Sequence, residues 1–436
     1  MPSGSGQDFN FSRAEALTKY VYANKVEELA PESDKMAKEF EFVPGAQKLG
    51  RKFYQPVEPA RSMGATHNSD GSAFTLNKSR APSELTAEIL GTETLLRETM
   101  SYAIMQRALS GEAGTKAGLK AFVQATSSTF KRLSKGGSYF RECDILYGAG
   151  GSPSTTSKGL GIVLNTTGSS GTSLVIQMSA ADWATAIWAG SENGAFDIYS
   201  TAGTKRNSAG SNETSVYVLS AVDSVNYKLT FVSDSTNVSA VQATDVIFFE
   251  GARSTTNLGI MEMTNETTLW GITVASWNLW KPRTVAIDGM ASFEAIMEGA
   301  AKVADIGFMG TLNCHVSPAT WKDICDDQAA LVRWDNKSGG KVRMGFEEVE
   351  FVGQTGTVRI KSNIYMKRGY AVALPEGYCK RVGSTDLTFN MPGYGKMLRE
   401  LENTAGVEAR IYGDQAPFIE RPAYSVTFTG ITNSSD

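Results

Sequence analysis

Two histidines, His67 and His315, and four cysteines, Cys143, Cys314, Cys325 and Cys379, are all that 436 residues offer for the commonest nucleophile–base and metal chemistry. The cysteines lie far apart and form no CxxC pair, so free thiols in a reducing compartment are expected rather than disulfides or a zinc site. Cys314 and His315 are adjacent, and neighbours in a strand point to opposite faces, so they form no thiol–imidazole dyad. A core cysteine beside a half-exposed histidine is expected instead. Asp326-Asp327 and Glu347-Glu348-Glu350 could attract a cation, but their spacing matches no calcium loop. They read as solvated faces or as partners for a basic segment of another copy. Asp326 and Glu348 have no spacing that supports two-carboxylate sugar hydrolysis. No GxxxxGK[ST] is present, and no GxGxxG follows a strand and opens a helix. Gly148–Gly151 reads as a hinge. Trp277 and Trp280 could stack on bases or sugars, but packing between domains is the commoner use of such rings. No catalytic residue, cofactor or metal is expected.

The remaining candidates are basic residues that could hold another chain or a phosphate backbone. Over residues 46–82, Lys48, Arg51, Lys52, Arg61, Lys78 and Arg80 stand against only Glu58 and Asp70, which leaves +4. Two extended limbs, Lys52–Pro59 and Ser72–Asn77, flank a tip rich in Gly, Asn and Ser. Pro56 and Pro59 exclude a central strand position. The segment reads as a long two-stranded arm with too few apolar residues to fold alone, which makes sense if another chain covers it. A surface loop is the alternative. Arg51, Lys52, Arg61, His67, Lys78 and Arg80 are its candidate inter-subunit contacts. A second basic group, Lys116, Lys120, Lys131, Arg132 and Lys135, lines the helix expected at 112–135, whose apolar face is Leu119, Phe122, Val123, Phe130 and Leu133. Non-specific phosphate contact is the most that group supports.

The elements that would carry these residues fall into six parts. Residues 1–45 read as an N-terminal arm, helical over 12–40 and interrupted at Pro31. Residues 46–83 are the extended loop, and 84–149 hold an extended stretch and the long helix, which Gly136-Gly137 are expected to break or kink. Residues 150–256 turn rich in Ser, Thr, Gly and Asn, with β runs at Leu174–Met178, Ala195–Tyr199, Val216–Val222, Tyr227–Val232 and Val246–Phe249, so a small all-β insertion is expected. Residues 257–404 mix helix and strand, with Ser292 and Ser317-Pro318 as helix starts. Residues 405–436 hold two more strands. The class is α+β.

At 41% apolar and 20% charged the chain reads as folded, and a net charge of −4 gives no general attraction to nucleic acid or anionic membranes. No apolar run reaches the ~18 residues of a membrane helix. The N-terminus does not read as a signal peptide.

This order of parts resembles the major capsid proteins of tailed double-stranded-DNA bacteriophages, which share the Johnson fold. Arg51–Asn77 looks like the family's extended loop, Glu112–Ser134 like its spine helix in the peripheral domain, Ser292–Gly377 like its axial domain and Gly406–Thr429 like the peripheral strands. Residues 150–256 look like the insertion domain that some members carry. The resemblance implies a structural subunit that builds pentamers and hexamers of an icosahedral shell around double-stranded DNA, in a virion assembled in the host cytoplasm. It implies partners in further copies of the chain, a separate scaffolding protein, a portal, a possible decoration protein and packaged DNA, and no membrane. The lysine–asparagine crosslink of some members finds no matching positions. An encapsulin-type compartment shell and a carbohydrate-active enzyme with a β-rich insertion are the alternatives.

Overall fold

The computed structural model describes residues 33–44, 48–49, 52–61, 63–69, 71, 73–78, 84–101, 116–149, 159–206, 216–233, 240–326, 348–353, 356–389, 398–401 and 405–436. The helix expected over 12–40 lies mostly outside them, as do Arg51, Arg80, Asp327, Trp334 and Glu347.

The mixed α+β class holds. A five-stranded sheet is organised on the long strand Gly406–Ile419. Thr92–Ser101 runs antiparallel along one side of it, and Cys379–Thr388 and Leu398–Glu400 share the other. Glu41–Pro44 adds a parallel strand beside Cys379–Thr388. The helix Lys116–Tyr147 lies on this sheet, with Leu133 buried against Ala409 and Ile411. It runs unbroken through Gly136-Gly137, contrary to the expected break. The two glycines serve close approach instead. A Cβ on Gly137 would stand 3.3 Å from Ile411 and 3.4 Å from Leu387, so its absence lets the helix settle onto the sheet. The extended stretch after residue 84 is two strands in different sheets. Leu85–Leu90 pairs with Lys52–Val57 at the base of the arm, and after Gly91 the chain enters the five-stranded sheet as Thr92–Ser101.

Ala149 and Leu258 form a bridge where the chain leaves and re-enters this body, and Gly259 donates its N–H to the Gly148 carbonyl at 2.8 Å. A Cβ on Gly148 would stand against the Asn257 carbonyl oxygen, well inside contact distance, so the two crossing chains touch through bare backbone. Between them lies a closed six-stranded barrel: Gly161–Asn165, Ser173–Met178, Ala195–Tyr199, Tyr217–Asp223, Lys228–Ser233 and Val246–Phe249. Closure removes the open edges that short strands would otherwise expose. Alternating inward residues fill it, including Leu174, Ile176, Phe196, Leu219, Leu229 and Phe231. Gly161–Asn165 had no counterpart in the sequence reading, because it sits inside a glycine-rich run. One helical turn, Thr185–Trp188, lies between the second and third of the barrel strands.

The second body is a six-stranded sheet in the order Arg283–Met290, Val426–Thr432, Tyr370–Pro375, Thr311–Val316, Gly356–Ser362 and Glu348–Gly353. Phe293–Ala304 and Pro318–Asp326 are its helices. Ser292 caps the first by accepting the Ala295 N–H, and Ser317 accepts that of Thr320. Two expected assignments change here. The last strand, Val426–Thr432, is central to this sheet rather than peripheral, because the turn at Pro422–Tyr424 carries the chain across and buries Val426 and Phe428 in this core. Cys379–Thr388, expected with the rest of the mixed part 257–404, belongs instead to the five-stranded sheet.

Candidate subunit interface

The arm begins as a stem. Lys52–Val57 pairs antiparallel with Leu85–Leu90, from Lys52 opposite Leu90 to Val57 opposite Leu85, and Lys48–Leu49 folds back beside it. Ala87 and Ile89 are buried, which roots the stem in the main core. The Glu88 N–H also donates 2.9 Å to the Trp270 carbonyl. Trp270 occupies a turn at φ 49°, a costly backbone for a bulky residue. Its ring, 4.8 Å from Phe418 and 6.0 Å from Trp280, offsets that cost and holds the turn under the stem.

Beyond the stem the chain leaves the core. Of the expected return limb at 72–77, the described residues 73–77 are not a strand and make no ladder, and the stem's partner comes later, at Leu85–Leu90. The two limbs are tied by a side chain instead. The Asn77 N–H donates to Thr66 Oγ1 at 2.9 Å, and Asn77 Nδ2 donates to the Ala65 carbonyl at 2.8 Å. Met63, Phe74 and Leu76 are 71%, 51% and 74% exposed. Arg61, His67 and Lys78 stand exposed along the same excursion. Lys52, also exposed, pairs with Glu88 at 2.5 Å across its own stem. Between the root of the arm and the six-stranded sheet lies a groove of about 800 Å³ lined by Val57, Arg61, Trp280, Glu420 and Tyr424.

The basic helix residues do not form one exposed stripe. Lys131 is exposed, but Arg132 pairs with Glu98 at 2.5 Å and Lys135 is half-buried against the barrel. Strand Thr92–Ser101 and the insertion each cover part of that face. The backbone of Lys116 and Lys120 is helical, and their side chains lie outside the description.

The segment Asp34–Pro44 carries contacts that the sequence reading missed. It crosses the long helix and both sheets as a strap. Met36 and Phe40 are fully buried. Glu142, on the long helix, accepts the N–H of Met36 at 3.0 Å and of Ala37 at 2.7 Å. Arg141 reaches Asp34 at 3.4 Å, Lys35 donates to the Ser362 carbonyl, and Arg381 donates to the Phe40 carbonyl at 2.7 Å. The short helix Lys35–Glu39 also covers the second face of Thr311–Val316, so His315 is 0% exposed rather than half-exposed. Its Nε2 stands 3.6 Å from Glu39, which also receives Asn313 Nδ2 and lies 3.6 Å from Lys361. Burial pushes the Glu39 carboxyl up, but the His315 contact, the Lys361 charge and Asn313 outweigh it and hold the group below its ordinary value. Cys314 points to the opposite face, where burial pushes its thiol up to about 12. The one signal for the strap was the apolar pair Met36 and Phe40, four residues apart.

Among the described residues no three His, Cys, Asp or Glu side chains stand close enough to share a metal ion. Asp326 is exposed and pairs with Lys322 at 3.2 Å. Trp280 is buried and donates to the Leu269 carbonyl at 3.2 Å, so its ring is core. Among the described residues no helix is long and apolar enough to cross a membrane.

No family model matches the chain, and no curated relative does. Solved structures similar to it include the capsid of a native GTA particle, at 9% identity over 94% of both chains with a TM-score of 0.47. The cyanophage A-1(L) capsid aligns at 10% identity over 95% of this chain and 98% of the other, with a TM-score of 0.48. The capsid of the myovirus XM1 aligns at 9% identity over 95% and 97%, with a TM-score of 0.43.

Proposed function

We propose that the chain is a structural subunit of a closed icosahedral shell, of the kind built by major capsid proteins of tailed bacteriophages. The observation that carries this reading is the arm. It is rooted firmly in the core at Ala87, Ile89 and Trp270, yet it projects an excursion whose apolar and basic side chains its own chain leaves exposed. Exposed apolar groups grouped on a projecting element mark a binding surface. The order of parts supports the same reading: an arm, a long helix on a sheet, an inserted barrel and a second sheet with its helices. On this reading the subunits associate as pentamers and hexamers and enclose double-stranded DNA, held non-specifically. Assembly involves a scaffold and a portal, in the host cytoplasm, and the product is a virion.

Electron microscopy and light scattering of the chain expressed with its neighbouring scaffold gene test the reading. Megadalton closed particles are expected, and only monomers or small oligomers would overturn it. Arg61→Glu with Lys78→Glu, which adds acid to the exposed part of the arm, is expected to cut particle yield at physiological salt while the circular dichroism of the monomer is unchanged. An unchanged yield removes the electrostatic role of the arm.

A further inference from the structure

A small cavity of about 20 Å³ lies where the long helix, the five-stranded sheet and the chain returning from the barrel meet. Gly137, Arg141, Asp144 and Ile145 border it from the helix, at a spacing that puts them on one face. Thr94, Arg381 and Gln415 border it from the sheet, and Asn257 from the returning chain. A water molecule needs about 10–15 Å³ of such space and at least two polar partners. The volume therefore admits water and is too small for an organic ligand.

The bordering side chains supply the partners. Asn257 is buried, and its Nδ2 donates to the Gln415 carbonyl at 2.7 Å. Its Oδ1 is buried with no hydrogen-bond partner in the protein. Arg141 spends its terminal nitrogens on Asp34 at 3.4 Å and Asp386 at 3.5 Å, and its Nε is likewise buried without a partner. An acceptor and a donor thus border one cavity, and each forfeits the bond it makes in water unless something in the cavity replaces it. Asp144 is the third group. Burial alone raises its carboxyl to about 7, with no hydrogen bond pulling it down. The surroundings call for no ion, because Asp34 and Asp386 already answer the guanidiniums of Arg141 and Arg381. We propose that this cavity binds one ordered water, which accepts from Arg141 Nε and donates to Asn257 Oδ1 and the Asp144 carboxyl. A bridging water of this kind is nearly as good as a direct bond. It joins two places far apart in the sequence: Arg141 holds the strap at Asp34, and Asn257 stands against Gly148 at the neck of the insertion. Strap and neck are tied through solvent. One copy carries the whole site, so the water does not depend on the shell reading.

A density map of the full chain, from crystals or from particles, at a resolution that shows ordered water tests the site. One peak is expected in the cavity, about 2.7–3.2 Å from both Asn257 Oδ1 and Arg141 Nε. No peak, or density too long for a single oxygen, overturns the proposal. Two variants separate the water from the bond between Asn257 and Gln415. Asn257→Asp loses Nδ2 but keeps an acceptor, so the peak is expected to stay. Asn257→Leu loses both, and the peak is expected to vanish. Hydrogen exchange is then expected to quicken at the Met36 N–H, held by Glu142, and at the Gly259 N–H, held by Gly148, in the leucine variant more than in the aspartate variant. A peak that survives in the leucine variant, or equal quickening in the two, overturns the bridge. If a variant does not fold, the map of the natural chain decides alone.

Discussion

The carboxylate of Glu142 accepts the backbone N–H of Ala37 at 2.7 Å, so a buried acid on the long helix holds the chain's N-terminal strap by its main chain. Burial dominates its titration and raises it from 4.5 to about 7, although the hydrogen bonds from Ala37 and Met36 pull the other way. A group raised in this way binds more protons folded than unfolded. Its contribution is complete below pH 4.5 and is lost as pH climbs through 7. Burial pushes Asp144, two residues further along the helix, from 3.8 to about 7 as well, with the same sign. The melting temperature is therefore expected to fall between pH 5 and pH 8, less steeply in Glu142→Gln and least in Glu142→Gln with Asp144→Asn. Identical slopes in the three proteins would refute the assignment.

Glu39 works in the opposite sense. Its carboxyl is held below 4.5, so its contribution is present above that value and lost as pH falls below it. Glu39→Ala removes the partner of buried His315 and Asn313 and is expected to cost about 1–3 kcal/mol at neutral pH by denaturant titration. It should also expose residues 33–44 to protease and weaken acid-side destabilisation. A loss near zero, with the strap still protected, would count against this contact.

The glycine pair in the long helix separates propensity from packing. Gly136→Ala places a Cβ 3.5 Å from Leu96, an ordinary contact, so it is expected to raise stability by up to ~1 kcal/mol. Gly137→Ala gains the same propensity but crowds Ile411 and Leu387. Its net gain should be smaller, or negative. Equal gains at both sites would show that the sheet does not need the second glycine.

Gly148→Ala forces a methyl against the Asn257 carbonyl, which is backbone and cannot rotate away. Overpacking of this kind costs about 1–3 kcal/mol. Hydrogen exchange is expected to quicken at Gly259, whose N–H bonds the Gly148 carbonyl, before it quickens inside the barrel. Uniform acceleration across the chain would argue against a local junction.

What could be read from the residues was local. Ser292 and Ser317-Pro318 announced helix starts because a cap needs one side chain and its own next turn. Barrel strands such as Ala195–Tyr199 and Val246–Phe249 stood out between turn residues. Membership in a sheet is a long-range property. The alternation in Val426–Thr432 says that a strand has a buried face, but not that its neighbours are Arg283–Met290 and Tyr370–Pro375. The arm shows the same division. Its lack of core residues and its charge were legible, whereas the pairing of Lys52 with Glu88 depended on a return strand that brings in a residue 36 positions on. The strap was missed because Glu39 and Glu142 look like surface acids until their partners, His315 and the Met36–Ala37 backbone, are brought to them from elsewhere in the chain.

The strap also imposes an order on synthesis. Residues 33–44 leave the ribosome early, but their seats at Asn313, Ser362 and Arg381 are translated late, and the Glu41–Pro44 strand waits for Cys379–Thr388. Until then the nascent chain carries an unclosed seam between its two bodies. Contacts of such long sequence separation are slow to form because the intervening loop must first be ordered. The N-terminal segment thus locks only a nearly finished subunit, and a truncated one is left unfastened.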